Sequence, residues 1–102
     1  MAMQIEVRGG EGGWELQEQV ERRLRFALGR FGHWIRGVIV RLVDLNGPKG
    51  GVDKRCRVEV RGGSRRAIVV ESTDASVLAA VDDAAARAAR SVGRAMERAR
   101  GR

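Results

Sequence analysis

The alternation of apolar and charged residues over residues 53–61 constrains the fold of this chain more than any other feature. If the segment is a strand, the side chains of Cys56, Val58 and Val60 lie on one face. The charged side chains lie on the opposite face; they are Arg55, Arg57, Glu59 and Arg61. This pattern is typical of an antiparallel sheet with one buried and one solvent-exposed face. Helices that cover the sheet are therefore expected on a single side.

Periodicity and the turn-forming residues between segments predict three more strands and two helices. The strands are expected at residues 3–8, 35–46, 53–61 and 66–71, with a turn over residues 46–51. The helices are expected at residues 14–31 and 76–99. This β-α-β-β-β-α order predicts an α+β two-layer sandwich, with two helices on one face of a four-stranded sheet.

Both predicted helices are amphipathic, and their ends are marked in the sequence. Gly32 is placed to cap the C-terminus of the first helix, and Ser76 is a suitable N-cap for the second. The apolar stripe of the first helix comprises Leu16, Val20, Leu24, Ala27 and Phe31. That of the second comprises Val77, Val81, Ala84, Ala88, Val92 and Met96. Each stripe is expected to pack against the sheet.

The length of 102 residues predicts a single domain, residues 1–102, because two domains would each be too small to bury a core. No apolar run approaches the roughly 20 residues that span a bilayer. The N-terminus lacks the charged and apolar regions of a secretory signal. The single cysteine cannot form an internal disulfide. We therefore expect a soluble protein of the reducing cytoplasm, without a membrane partner.

The sequence offers no catalytic or metal-binding cluster, so no enzymatic activity, cofactor, metal or small-molecule substrate is expected. His33 is the only histidine and follows Gly32 in a predicted loop. Cys56 is predicted to be a buried thiol on the apolar face of its strand. Asp82 and Asp83 are adjacent, so on a helix they point about 100° apart and make a poor acid–base pair.

The charge of the chain indicates an anionic partner. The net charge is +7 and the isoelectric point is near 11.3. Of the 20 basic residues 18 are arginine, whose planar guanidinium binds phosphate through two hydrogen bonds. A basic domain with clustered arginine is typical of nucleic-acid binding. A genome rich in G and C also favours arginine codons, which explains the excess over lysine equally well.

The strongest cluster lies in the second predicted helix. Arg87, Arg90, Arg94 and Arg98 fall within about 80° of one another around the helix axis. They recur about every 5 to 6 Å along the axis, an interval broadly comparable to that of phosphates on one strand. The alternative is a solvated face with arginine stems covering apolar surface. Like charges at i,i+4 repel, however, so a binding surface is favoured.

The first predicted helix carries a second cluster, Arg22, Arg23, Arg25 and Arg30. Glutamates at helical distance make ion pairing an equally good explanation there. Phe26 lies between two of these arginines, where an aromatic ring can stack on RNA bases, but packing at the edge of the core is favoured. The solvent-exposed sheet face is a second candidate contact surface for RNA, with Arg55, Arg57 and Arg61.

Together these residues resemble the ribosome hibernation-promoting and ribosome-associated inhibitor family, also called sigma-54 modulation proteins. The resemblance extends from Met3 to about Arg98. It rests on the element order, on Met3-Gln4-Ile5, on the position of Arg23, and above all on Ala79-Ala80-Val81-Asp82 followed by the four basic residues of the second helix. The family has basic residues at the positions of Arg23, Arg87, Arg90, Arg94 and Arg98. Helical geometry adds Arg22, Arg25 and Arg30 to the predicted rRNA-binding residues.

The resemblance implies a fold similar to a double-stranded-RNA-binding domain with an extra strand. It also implies binding to rRNA of the small ribosomal subunit, in the channel for mRNA and for A- and P-site tRNAs, which silences translation in stationary phase or stress. We expect the eight arginines of the two helices to form one continuous cationic surface, and the protein to act as a monomer. The alternative is a protein–protein modulator of a transcription (sigma) factor.

The sequence also departs from the pattern of this family. Ser76 replaces the usual Asp at the helix cap, which is physically equivalent. Leu78 stands where an aromatic residue is common, and Phe26 replaces a basic residue. The chain ends at Arg102, so the C-terminal dimerisation domain of long family members is expected to be absent, and with it direct ribosome pairing.

Overall fold

The computed structural model describes residues 3–45, 53–63 and 66–101. In these ranges the chain forms four strands and two α-helices in the predicted order. The strands are β1 (Gln4–Gly9), β2 (Ile35–Asp44), β3 (Lys54–Gly62) and β4 (Ile68–Asp74), and the helices are α1 (Gly13–Leu28) and α2 (Val77–Arg100). The turn predicted over residues 46–51 lies outside the described residues. No helix in the described part of the chain is both long and apolar enough to span a bilayer.

The four strands form one mixed sheet in the spatial order β1-β2-β3-β4. β1 runs parallel to β2, whereas β2–β3 and β3–β4 are antiparallel. Both helices contact the sheet and each other: α1 lies against β1, and α2 lies against β3 and β4. This arrangement confirms the predicted α+β two-layer architecture.

The core lies between the two layers and uses the predicted faces. Val38 and Val40 of β2 and Val58 and Val60 of β3 are buried beneath the helices. α1 contributes Val20, Leu24 and Leu28, the last of which was not in its predicted stripe. α2 contributes eight buried residues: Ala80, Val81, Ala84, Ala85, Ala88, Ala89, Val92 and Ala95. Because six of these are alanines, the α2 backbone can pack closely on the sheet and on α1.

The start of α2 is determined by a local side chain, whereas the end of β4 is determined by pairing with another strand. Ser76 is the N-cap of α2, as predicted: its hydroxyl accepts a hydrogen bond of 3.3 Å from the Ala79 amide. The fourth strand, predicted at residues 66–71, instead extends to Asp74. Residues 72–74 are polar and typical of a loop, but they pair with β3, from Cys56 to Lys54. This pairing with a neighbouring strand overrides the local sequence preference.

The first helix also ends differently from the prediction. The α-helix stops at Leu28 and one 3₁₀ turn, Gly29–Phe31, follows. Gly32 caps this turn through a 3.0 Å hydrogen bond from its amide to the Gly29 carbonyl. The C-cap of α1 itself is Gly29 rather than the predicted Gly32.

The thiol of Cys56 is expected to be unreactive in the folded protein. Cys56 is fully buried, and burial raises its pKa from 9.0 to about 12. Above pH 9 the unfolded chain releases this proton while the folded chain keeps it, so stability should fall by about 1.4 kcal/mol per pH unit between pH 9 and 12. Urea unfolding of Cys56→Ala should not show this loss of stability with rising pH. In the wild-type protein, thiol labelling should be fast only in urea. Rapid labelling of the native protein would contradict it.

Candidate nucleic-acid interface

The arginines of α2 differ in whether a carboxylate neutralises them. Arg87 forms an ion pair with Asp83, with 3.1 Å between Nε and Oδ2. Its Nη1 also donates to the Glu71 carbonyl of β4, at 3.4 Å. Arg87 therefore lies on the flank of α2 that faces β4, and its charge is already compensated.

Arg90, Arg94 and Arg98, which we call the α2 row, differ from Arg87 in this respect. Within the described ranges none of them has a carboxylate oxygen within 4.0 Å; Arg94 donates to the neutral Ser91 hydroxyl at 3.2 Å. Their spacing of four residues puts them on successive turns, about 6 Å apart along the axis. The α2 row is therefore a line of exposed guanidinium groups available to an anionic ligand.

Two arginines of α1 are ion-paired along their own helix. Arg22 lies 3.8 Å from Glu18, and Arg25 lies 2.9 Å from Glu21. Arg25 also donates a hydrogen bond of 3.1 Å to the Met3 carbonyl, which fixes its side chain on the flank of α1 that faces β1. The ion-pair alternative that the sequence left open therefore holds for these two residues.

The remaining two arginines of the first helical segment lie near α2. Arg23 donates to the Asp82 carboxylate and so joins α1 to α2. Arg30 lies over the Phe31 ring, with its guanidinium carbon 4.9 Å from the ring centroid. A side chain at Gly93 would meet the Phe31 ring at 3.7 Å, so this end of the segment lies beside the part of α2 that carries the row. In the described part of the chain, Arg30 has no carboxylate partner either.

The eight predicted arginines do not form the single continuous surface expected from the sequence. Arg25 reaches toward β1 and Arg87 reaches toward β4, which are the two opposite edges of the sheet. The reason is that the helices lie side by side, so their outer flanks face in opposite directions. Of these eight, only the α2 row and Arg30 have no carboxylate partner among the described residues, and they lie near the C-terminal half of α2.

The uncovered sheet face carries a second arginine group that sequence reasoning missed in part. The strand register aligns Arg8 with Arg41 and Arg41 with Arg57, so three arginines lie side by side across β1, β2 and β3. Like charges in this position are destabilising by themselves. Alternation placed Arg57 on this face, but only the pairing register brings Arg8 and Arg41 beside it. Of the predicted members of this face, Arg61 is ion-paired with Glu59 at 2.8 Å.

A carboxylate at one edge offsets part of this charge. Glu6 accepts a hydrogen bond from Arg8, which holds the pKa of Glu6 below its usual value and raises that of Arg8. Among the described residues, Arg41 and Arg57 have no such carboxylate partner within 4.0 Å. On β4 the register partner of Arg57 is Glu71, so this row across the sheet is basic at its centre, around Arg41, with a carboxylate at each end.

Phe26 does not pack at the edge of the core, so the favoured prediction for this residue is wrong. Its side chain is 91% exposed, on the outward side of α1. The inward positions of this stretch are taken by Leu24 and Leu28, which complete the apolar face. Phe26 is therefore an uncovered aromatic ring among charged neighbours.

The residues considered for catalysis lie apart. Cys56 is buried, whereas His33 is exposed after the 3₁₀ turn. Asp82 contacts Arg23 on one side of α2, while Asp83 accepts a 2.7 Å hydrogen bond from the Ser72 hydroxyl on the other. No group of three or more His, Cys, Asp or Glu side chains in the described ranges is arranged to hold a metal ion.

Fold and charge together define a class: a small two-layer α+β protein with unneutralised arginines along a long helix, as in nucleic-acid-binding domains. Comparison with known families is more specific. The chain belongs to the family described as sigma 54 modulation protein / S30EA ribosomal protein, whose model matches residues 3–100. This is a family of ribosome-associated proteins.

Solved structures with the same fold agree with this assignment. The N-terminal domain of Thermus thermophilus Protein Y is 25% identical, with a TM-score of 0.68 over 92% of this chain and 98% of that one. A ribosomal subunit interface protein from Coxiella burnetii is 14% identical, with a TM-score of 0.73 over 93% of this chain and 99% of that one; this likeness concerns the fold alone. No curated protein sequence matches the chain.

Proposed function

We propose that this protein is a non-catalytic translation inhibitor that binds rRNA of the small ribosomal subunit. Its site is the channel that holds mRNA and the A- and P-site tRNAs, where it competes with both and silences translation in stationary phase or stress. It acts as a monomer in the cytoplasm, without a cofactor. Membership of a ribosome-associated family supports the ribosome as the partner.

The α2 row is the observation that carries this proposal. Three guanidinium groups on successive turns, about 6 Å apart, can follow one phosphate backbone. They have no carboxylate partner in the described part of the chain, so no ion pair must be broken before a phosphate binds. Arg30 extends the same charged region from the end of α1. Binding of this kind depends on phosphate charge and on the shape of folded RNA.

The four ion-paired arginines have a secondary part in the proposed interface. Arg22, Arg23, Arg25 and Arg87 can each turn to a phosphate only by giving up or sharing a carboxylate. The carboxylates themselves repel phosphate. The arginines of the sheet face, centred on Arg41, form a second basic surface that can meet another RNA segment of the same binding channel.

Titration of isolated small subunits with the protein tests this function. If Arg30 and the α2 row each neutralise one phosphate, affinity should fall roughly a hundredfold between about 50 and 200 mM salt. Bound protein should be displaced by mRNA and tRNA added together, because they occupy the same channel. Binding that is independent of salt, or unaffected by both competitors, would contradict the proposal.

The family description also names modulation of sigma 54, which keeps a protein partner as the second candidate. The two functions differ in what survives nuclease treatment. Material captured from a lysate on the immobilised protein should disappear when RNA is digested if the partner is rRNA. A partner that remains after digestion would favour the transcription-factor alternative.

A further inference from the structure

The groove between α1 and α2 combines an exposed aromatic ring with guanidinium groups. Its volume is about 670 Å³, within the range of small-ligand sites. It is lined by Gln19, Arg22, Arg23, Phe26, Ala27, Asp82, Ala85 and Ala86. The small alanine side chains leave space between the helices, and Phe26 stands at the side of this space.

Within the described residues, nothing packs on Phe26 that would explain its position on the surface. At 91% exposed it contributes almost nothing to the core, and it is more exposed than Trp14, at 72%. Arg22 and Arg23 stand one helical turn before it and line the same groove. An aromatic ring that lines a groove together with two guanidinium groups suits a ligand that has both a flat apolar surface and negative charge.

We propose that this groove holds one unpaired nucleobase of single-stranded RNA, stacked on the Phe26 ring, with Arg22 on the adjoining phosphate. The proposal rests on the proposed function and specifies what part of the RNA this groove takes. Base–aromatic stacking of this kind tolerates any base, because each base has a π face. It requires an unstacked base, so a duplex does not satisfy it.

The two arginines of the groove have different parts. The Arg22 pair with Glu18 is long, at 3.8 Å, and both side chains are well exposed, so exchanging this carboxylate for a phosphate costs little. Arg23 is held by Asp82 across the groove. That ion pair spans the two helices and leaves Arg23 less available to a phosphate than Arg22.

A protein partner fits this groove less well than a nucleotide. Protein interfaces use contiguous apolar patches of several hundred Å². Phe26 is the one large apolar side chain among the lining residues, and the residues one turn before it, Arg22 and Arg23, are charged. A second copy of this chain would also bring like charges together, since the same arginines would meet across a symmetric contact.

Anisotropy titrations with a labelled single-stranded RNA of about ten nucleotides test the proposal. Phe26→Ala should weaken binding roughly five- to a hundredfold, and Phe26→Leu should behave like Phe26→Ala because it lacks a π face. Phe26→Trp should bind at least as well as the wild-type protein. The slope of affinity against salt should stay the same in all three variants, because no phosphate contact is removed.

Two controls isolate the groove. Trp14→Ala removes another exposed aromatic ring of α1 that does not line the groove, and it should leave the affinity unchanged. A duplex of the same length should bind the wild-type protein and Phe26→Ala equally. Phe26 makes no core contact, so the free energy of unfolding of its variants, measured in urea, should equal that of the wild-type protein to within about 0.5 kcal/mol.

Equal affinity of wild type and Phe26→Ala for the single strand would overturn the proposal. The proposed function would still stand if removal of the α2 row abolished binding to small subunits. A wild-type dimer in sedimentation that Phe26→Ala converts to monomer would assign the ring to a contact between copies, which also overturns the proposal. Normal binding by both the Phe26 and α2-row variants would refute both.

Discussion

Replacing Arg90, Arg94 and Arg98 together by Gln should weaken binding to small ribosomal subunits about a thousandfold at low salt. The α2 row is free of carboxylates among the described residues, so each guanidinium can form charge-assisted hydrogen bonds with phosphate. Such a bond contributes about 1.5 kcal/mol or more, which is about tenfold in affinity for each arginine. Loss of three phosphate contacts should also reduce the slope of log affinity against log salt by about 3.

A variant with the same loss of charge provides the matched control. Arg22, Arg25 and Arg87 all have carboxylate partners, and replacing them by Gln also removes three positive charges. This variant should lose only about tenfold in affinity, the loss expected from the Arg22 phosphate contact, since Arg25 and Arg87 are held by their carboxylates. Filter binding of both variants over a salt series makes the comparison. Equal losses would mean that net charge, rather than the α2 row, determines binding.

Substitution of Gly9 by Ala should destabilise the fold by about 3 kcal/mol or more. Gly9 ends β1 with a φ of +82°, a conformation that side chains with a Cβ rarely adopt. A Cβ at this position would overlap the carbonyl oxygen of Leu42, its register partner on β2. Backbone in a paired strand cannot move aside without breaking the β1–β2 pairing. Urea unfolding followed by circular dichroism measures the loss.

Two other glycines separate the cost of the backbone angle from the cost of the overlap. Gly13 has a φ of +63°, and a Cβ there would meet nothing within 4 Å, so Gly13→Ala should cost about 1 kcal/mol. Gly29 has a right-handed φ of −57° and equally open surroundings. Gly29→Ala should therefore stabilise the protein by about 0.5 kcal/mol. If Gly9→Ala costs no more than Gly13→Ala, the overlap with Leu42 is not significant.

The sequence predicted the layers and most element positions because these depend on local periodicity. The alternation in β3 correctly assigned Cys56, Val58 and Val60 to the buried face, and the same pattern did so for β2. The stripe of α2 and its Ser76 cap were also predicted correctly, since side chains three or four residues apart decide both. With every strand covered on one face only, two amphipathic helices have a single side on which to pack.

Properties that depend on distant residues could not be predicted in this way. β4 extends to Asp74 because β3 pairs with it, although its last residues favour a loop. Asp83 and Arg87 are four residues apart, so helical spacing could have predicted their ion pair, but it could not show that Arg87 also binds the Glu71 carbonyl of β4.

The sequence by itself determined which face of each strand and helix is apolar, and hence the two-layer fold, because those patterns act over a few residues. Only the tertiary structure decided how charged and aromatic side chains of different elements lie relative to one another. Strand register aligned Arg8, Arg41 and Arg57, and the packing of α1 beside α2 paired Arg23 with Asp82 and left Phe26 uncovered. These contacts depend on distances between residues far apart in the chain, and those distances are fixed only when the two layers pack.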